Sequence, residues 1–279
     1  MSSTLAEKVQ AQLIQAIDND ALTLPTLPEV ALRVREAAED PDVGAADIAK
    51  VLANDAAISA RLIKVVNSPL LRAAGVITDL QMAVSRLGIN YTCNLATGLA
   101  MEQMFQATTD IIDQKMREVW NKSTEIAGIS HVLCRHYTRL MPDQATLAGL
   151  VHQIGILPIL TFAEEHEELL GDPQTLDAVI NAIHPVLGEK ILRAWQFPEQ
   201  IATVPGQLLN FSRNSAKTDY TDIVQVAMLQ SYIGTDHPFA QMDWSDISSF
   251  HKLGLDPQVD MQDDEDLSAS MEAAMSMLQ

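Results

Sequence analysis

The residues of this chain that could carry out chemistry begin with an adjacent pair, His152 and Gln153, inside the almost wholly apolar stretch 149–160. A polar pair in an apolar core costs free energy unless it is hydrogen-bonded or binds a ligand. A His followed by Asp would suggest a divalent metal site here, because imidazole and carboxylate are good metal ligands. Gln is a neutral amide and a poor ligand for a catalytic divalent cation. The function of the chain therefore depends on whether this pair binds a ligand or only forms hydrogen bonds within the core.

The other candidate ligands give little support for a metal centre. His131 and His136 are five residues apart, so on a helix they would point about 140° away from each other. Cys93 and Cys134 have no metal-ligand spacing and are predicted to be reduced thiols in the core. His184 lies in an apolar helical context, where a lone His is usually a hydrogen-bonded core residue. The sequence contains no Gly-rich phosphate loop, Ser nucleophile elbow or His-Glu-x-x-His motif.

The composition narrows the classes of partner. The 279 residues are 47% hydrophobic, and 37 acidic side chains against 18 Lys and Arg give a formal net charge of -19. Nucleic acids and anionic membranes are therefore not expected as partners, because phosphate binding needs clustered cations. We find no signal peptide and no uncharged apolar run long enough to span a bilayer. These features predict a protein of the reducing cytoplasm, and no cofactor is predicted.

The elements that must position these residues are all predicted to be helices, since apolar residues recur at helical spacing and no convincing alternating strand is found. The helix carrying His152 is expected to begin after Met141-Pro142-Asp143, and residues 205–218 are expected to form a polar loop. Further helices are predicted over residues 5–19, 110–140, 161–170, 175–183, 185–195 and 219–233.

The C-terminal stretch differs from the rest in being acidic and rich in Met. Acidic residues crowd positions 256–266, and a final helix then places Leu267, Met271, Met275 and Leu278 on one face. We favour a terminal helix docked on the body, because core packing is the usual fate of such a stripe. The alternative is a partner-binding helix, since Met-rich faces adapt to several surfaces.

Six short motifs occur in a characteristic order along the chain. They are Leu24-Pro25-Thr26-Leu27-Pro28, Ile63-Lys64-Val65-Val66-Asn67-Ser68-Pro69, Ala83-Val84-Ser85-Arg86-Leu87-Gly88, Leu150 to Leu160, His184-Pro185-Val186-Leu187-Gly188-Glu189-Lys190-Ile191-Leu192, and Trp195-Gln196-Phe197-Pro198-Glu199-Gln200-Ile201. In this order they resemble the HD-related output domain (HDOD) family of bacterial signalling proteins, which is itself similar to HD-superfamily phosphohydrolases. The resemblance covers about residues 20–235.

The resemblance implies an all-α fold, a multi-helix bundle of the HD-domain type with an N-terminal helical subdomain. It divides the chain into an N-terminal helix, an HDOD domain and a C-terminal helical extension. The corresponding ranges are 1–20, 21–235 (an N-terminal helical half 21–106 and an HD-like half 107–235) and 236–279. Because the resemblance ends earlier, we expect a body lacking residues 257–279 to fold.

The resemblance also supplies a metal-ligand pattern, which is a His, an adjacent His-Asp pair and a later Asp. The first His falls on Ser123, the pair falls on His152 and Gln153, and the last Asp falls on Met228 after a Val-Ala pair. His184 matches a His used by the cyclic-dinucleotide phosphodiesterase branch. Only His152 of the common ligands remains, and a hydrolytic metal needs anionic or imidazole ligands. The five residues are therefore predicted to line a vestigial pocket, with no catalytic residues and no bound metal.

Three functions remain open. The first is a non-catalytic output module that acts in signal transduction by binding other proteins, in which His152, Gln153 and His184 hydrogen-bond across the old pocket. The second is a metal-dependent phosphohydrolase of nucleotides or cyclic dinucleotides, using His152, His184 and an unusual acid such as Glu189. The third is a small-molecule sensor that uses the vestigial pocket, helped by a basic residue such as Arg193. We favour the first, with partners in a signalling pathway and an undefined oligomeric state.

Overall fold

The structure is a computed structural model that describes residues 5–19, 24–71, 75–107, 109–164, 166–258 and 265–278. All regular elements in these ranges are helical. The helices are α1 (Leu5–Asp18), α2 (Glu29–Glu39), α3 (Ala45–Leu52), α4 (Ala56–Val66), α5 (Leu80–Leu87), α6 (Ile89–Ala100), α7 (Asp110–Tyr137), α8 (Pro142–Val151), α9 (Ile156–Glu164), α10 (Glu167–Leu170), α11 (Pro173–Ala194), α12 (Glu199–Ala202), α13 (Val204–Leu208), α14 (Tyr220–Gln230), α15 (Ser248–Leu253) and α16 (Glu265–Leu278), with short 3-10 turns at Met101–Met104 and Pro238–Gln241. The expected all-α bundle is confirmed.

The bundle is built around α7, which packs along α8, α14 and α16. α8 has no polar face, and eight of its residues from Asp143 to Val151 are buried. A helix that is apolar all round must lie in the interior, and this explains why α8 is covered by α6, α7 and α14. One contiguous core of buried side chains runs from Val9 to Leu278.

Three helix boundaries differ from the expected ones. The helix predicted over residues 161–170 is two helices, because α9 begins earlier and ends at Glu164 and α10 follows from Glu167. Helix α11 runs unbroken from Pro173 to Ala194 through Pro185, where the sequence suggested two helices. Packing explains this, because Ile183 and Leu187 on either side of the proline are both buried. The predicted polar loop also begins late, since residues 204–208 form α13.

The C-terminal helix α16 docks on the body through its apolar face. Leu267, Met271, Ala274, Met277 and Leu278 are buried, and the helix packs along α7 and the end of α4. The close approach requires a glycine on α7, because a Cβ atom at Gly128 would lie 2.8 Å from the backbone nitrogen of Met275. Arg61 of α4 donates to the carbonyl oxygen of Leu278. The acidic positions 260, 263 and 264 lie outside the described residues.

A buried ionic network fixes α14, the helix that carries Met228. The carboxylate of Asp222 is fully buried and pairs with Arg213 and with Lys252, whose Nζ lies 3.2 Å away. Ser249 of α15 donates to the same carboxylate over 2.9 Å. Buried charges are tolerated when several partners satisfy them. The network therefore links the loop before α14 and helix α15 to the carboxylate of Asp222.

Candidate functional site

The candidate site is assembled from four helices. Ser123 lies in the middle of α7, His184 in α11 and Met228 in α14, and all three are buried. His152 caps the C-terminus of α8, one residue beyond its last helical residue. Gln153 follows in the turn that joins α8 to α9, so the pair lies at a helix end and not within a helix as the sequence suggested.

The turn after His152 is pressed against α11. A Cβ atom at Gly155 would collide with the backbone carbonyl of His184 and with the backbone nitrogen of Gly188. Only glycine at these positions allows the two backbones to come so close. The contact brings the α8–α9 turn alongside the segment of α11 that carries His184, and this arrangement places the two histidines of the candidate site near each other.

The hydrogen bonds of the site are local. His152 Nδ1 lies 2.6 Å from the carbonyl oxygen of Gly149, and because a carbonyl only accepts, Nδ1 carries the proton and Nε2 keeps a lone pair. Four buried polar atoms at the predicted positions have no hydrogen-bond partner. They are His152 Nε2, Gln153 Oε1, His184 Nδ1 and Ser123 Oγ. The expectation that His152, Gln153 and His184 hydrogen-bond to one another is therefore wrong.

Burial keeps both histidines neutral. The pKa of His152 is lowered to about 4, chiefly by burial and further by the positive charge of Lys122. The pKa of His184 is lowered to about 3 by burial and then by the neighbouring His152. Both rings therefore present unprotonated nitrogens at neutral pH, the state in which imidazole binds a metal or accepts a hydrogen bond.

Lys122 is a site residue that sequence reasoning missed. Its Nζ donates to Glu125 over 2.9 Å and to the carbonyl oxygen of Ser231 over 3.1 Å, and it lies 4.4 Å from the ring centre of Tyr232. Ser231 follows α14, three residues after Met228, so the lysine links α7 to the end of that helix. Its position directly before Ser123 was the available clue. Its ammonium group and the Glu125 carboxylate form an ion pair, so their charges offset each other.

Side chains that commonly bind metals are not clustered among the described residues. Across the described ranges, no three His, Cys, Asp or Glu side chains lie close enough together to hold a metal ion. Glu189, the acid suggested for an unusual ligand set, accepts hydrogen bonds from Arg193 Nε and Nη2 at 3.0 and 2.8 Å. Arg193 also binds Glu199, so it does not serve as a free cation for a ligand of the pocket.

We expect the buried histidines to make folding sensitive to acid, and His131 offers the clearest test. Its Nδ1 lies 3.0 Å from Thr146 Oγ1, and burial is the main cause that lowers its pKa to about 4. In the unfolded chain its pKa is about 6.5, so between these values the unfolded state binds more protons and acid destabilises the fold. From pH 7 to 4 the free energy of unfolding, measured by denaturant titration, should fall by about 3 kcal/mol less for His131→Gln than for the unmodified chain. Equal slopes would contradict a neutral buried His131.

The all-helical bundle, with the His152–Gln153 pair at the end of α8, is an HD-type helical fold. Residues 24–205, well over half of the chain, match the family model of the HDOD domain. The chain belongs to the HDOD family, and the resemblance of its motifs to that family is confirmed.

Two solved structures and one curated protein illustrate the similarity. A proposed metal-dependent phosphohydrolase from Shewanella amazonensis SB2B is 30% identical, with a TM-score of 0.88 and coverage of 98% of this chain and 99% of the other. A proposed signal transduction protein from Marinobacter aquaeolei VT8 is 21% identical, with a TM-score of 0.66 and coverage of 99% and 66%. An uncharacterized protein from Treponema pallidum (strain Nichols) is 24% identical over 88% of this chain. The chain spans 49% of that protein's length.

One stretch is long and apolar enough to cross a membrane by composition alone, contrary to the expectation from sequence. It comprises Pro142–Glu164. In the fold, 83% of its most apolar window is buried inside the protein. Core helices of water-soluble proteins pass the same test, and this stretch forms the core helices α8 and α9.

Proposed function

We propose that this chain is a non-catalytic output module of signal transduction that acts by binding other proteins in the cytoplasm. The observation that supports the proposal most directly is the chemistry of the four aligned ligand positions, of which only His152 keeps the expected residue. Ser123, Gln153 and Met228 supply a hydroxyl, an amide and a thioether where the superfamily's enzymes have an imidazole and two carboxylates. These groups are poor ligands for the hard or borderline metals that hydrolyse phosphoesters.

The net charge of the chain and the name of one relative agree with the same proposal. Acidic partners are disfavoured by the net charge of -19, and a protein partner with a basic surface would be attracted by the overall field. The name of the Marinobacter relative, a proposed signal transduction protein, agrees with this role.

The experiment that tests the proposal is the single substitution Gln153→Asp. It restores the His-Asp pair but leaves Ser123 and Met228 unchanged. The site then gains one carboxylate, but two of the four aligned ligand positions still carry residues that bind metals poorly. We expect no stoichiometric binding of Mn²⁺ or Ni²⁺ by calorimetry, in the variant or in the unmodified chain. Tight binding of one equivalent by the single variant would contradict the proposal, because a functional ligand set would then already be present.

The second candidate is a metal-dependent phosphohydrolase. It is favoured by the 30% identity to the Shewanella protein, whose description names that activity. This function needs His152 and His184 as ligands together with an acid from outside the motif. Hydrolysis of bis(4-nitrophenyl) phosphate with added Mn²⁺, abolished by His152→Ala and by His184→Ala, would favour this candidate. Absence of metal-dependent turnover above background would favour the module.

A further inference from the structure

A cavity away from His152, Gln153 and His184 lies between the N-terminal half and the HD-like half. Its volume is 490 Å³. α2 and α6 form one wall, and α8 with the segment 196–201 forms the other. Apolar side chains such as Leu147, Phe197 and Ile201 line most of it. A mainly apolar cavity of this size with a few polar groups is typical of small-molecule sites.

Two buried oxygen atoms on the cavity wall have no hydrogen-bond partner. Asp143 is 3% exposed, and Asn94 Nδ2 donates to its Oδ2 over 2.7 Å while Oδ1 receives nothing. Thr97 is 1% exposed, and its Oγ1 is also without a partner. An unsatisfied buried carboxylate oxygen is costly unless a ligand or water completes its hydrogen bonds. The wall therefore offers a carboxylate oxygen that can accept a hydrogen bond and a hydroxyl group that can accept or donate one.

The charges around the cavity favour a cation. Asp143 and Glu39 are both on its lining. The one cation on the lining, Arg35, interacts with the charge of Glu39, and its Nη1 and Nη2 donate to the Trp195 and Gln196 carbonyls, each over 2.9 Å. Its guanidinium also lies 4.5 Å from the ring centre of Phe197. No ion pair with Asp143 occurs among the described side chains, so its charge is available to a ligand.

We propose that this inter-half cavity binds a small organic cation, an ammonium or guanidinium group carried on an apolar body. The cation donates to Asp143 Oδ1 and Thr97 Oγ1, and the apolar body packs against Leu147, Phe197 and Ile201. Because the two walls come from different halves of the protein, the ligand stabilises the arrangement in which they meet. The backbone at Gln196, which Arg35 holds, has φ of +55°, a conformation uncommon outside glycine.

The test uses a matched pair of probes on the whole chain. Phenethylamine and phenylacetate share an aromatic body and differ in the sign of their charge, and agmatine adds a guanidinium without the ring. Calorimetry should give a dissociation constant for phenethylamine or agmatine below about 1 mM. Phenylacetate should not bind. Binding of phenylacetate alone, or of no probe at several millimolar, would overturn the proposal.

Two variants in the cavity and one control variant outside it test the location of the site. Asp143→Asn removes the charge and keeps the shape, so it should weaken amine binding at least tenfold, whereas Glu36→Gln on the exposed face of α2 should leave it unchanged. Ala38→Trp fills the cavity from its rim and should abolish binding without touching the buried carboxylate, which keeps the test valid if Asp143→Asn folds poorly. Equal affinities in all three variants would overturn the assignment.

Discussion

The combined substitution of Ser123→His, Gln153→Asp and Met228→Asp is expected to produce a site that binds about one equivalent of a divalent metal. The three positions lie on α7, on the turn after α8 and on α14, which pack against one another in the core. With His152 they would supply two imidazoles and two carboxylates, a good ligand set for Mn²⁺, Fe²⁺ or Ni²⁺. We expect affinity to rise by at least about 1,000-fold, measured by calorimetry with chelator competition.

The metal-free form of this triple variant should be less stable than the unmodified chain, because Met228 is 3% exposed and a carboxylate there is buried without a partner. Adding metal should then raise the thermal midpoint. The matched control replaces Gln153 with Asn in place of Asp, which keeps the shape and removes the charge, and it should bind far more weakly. A folded triple variant without metal affinity would show that these positions do not form one site.

Removal of residues 257–279 is expected to lower the thermal midpoint by roughly 10 °C, the second large effect. The family match ends at residue 205, and on that ground alone the last helix would be dispensable. The structure gives α16 a buried apolar face against α7. Each buried Leu or Met contributes about 1.5 to 3 kcal/mol, and part of this is offset by the entropy of the released helix. A net loss of about 4 kcal/mol corresponds to the stated shift for a domain of this size.

Point variants distinguish the loss of α16 packing from other effects of removing residues 257–279. Met271→Ala removes a buried side chain of α16 and should cost about 2 to 4 kcal/mol, whereas Glu272→Ala changes an exposed neighbour and should cost little. Gly128→Val adds side-chain atoms on α7 where the backbone of Met275 approaches, and should destabilise without altering α16 itself. If truncation leaves the thermal midpoint unchanged, α16 is an appendage free to bind a partner, as the alternative interpretation of the sequence proposed.

Local sequence patterns predicted much of the fold because they act over short distances. Helix α7 ends within three residues of its predicted boundary, since its apolar residues keep helical spacing throughout. Pro185 shows where local reasoning fails, because buried neighbours hold α11 together across a residue that usually ends a helix. The sequence placed His152 and Gln153 within a helix, whereas they lie at a helix end. The close contact of Gly155 with α11 cannot be recognised from the sequence.

The sequence supplied candidate site residues but not their contacts. The motif order identified Ser123, His152, Gln153, His184 and Met228, yet it gave no indication that their polar atoms are left without partners. Lys122 was missed because its role depends on α14 and on Tyr232, more than 100 residues away. The cavity at Asp143 was missed for the same reason, since its walls come from two halves of the chain.

The most direct test of the central claim is the metal content of the unmodified protein. The chain should be purified without chelator and without a His tag, re-equilibrated with manganese, iron and magnesium, and measured by elemental analysis. The account predicts less than about a tenth of an equivalent of any transition metal, as expected for a site lacking three of its four ligands. One equivalent or more, lost in His152→Ala, would contradict the account and identify the site as a working metal centre.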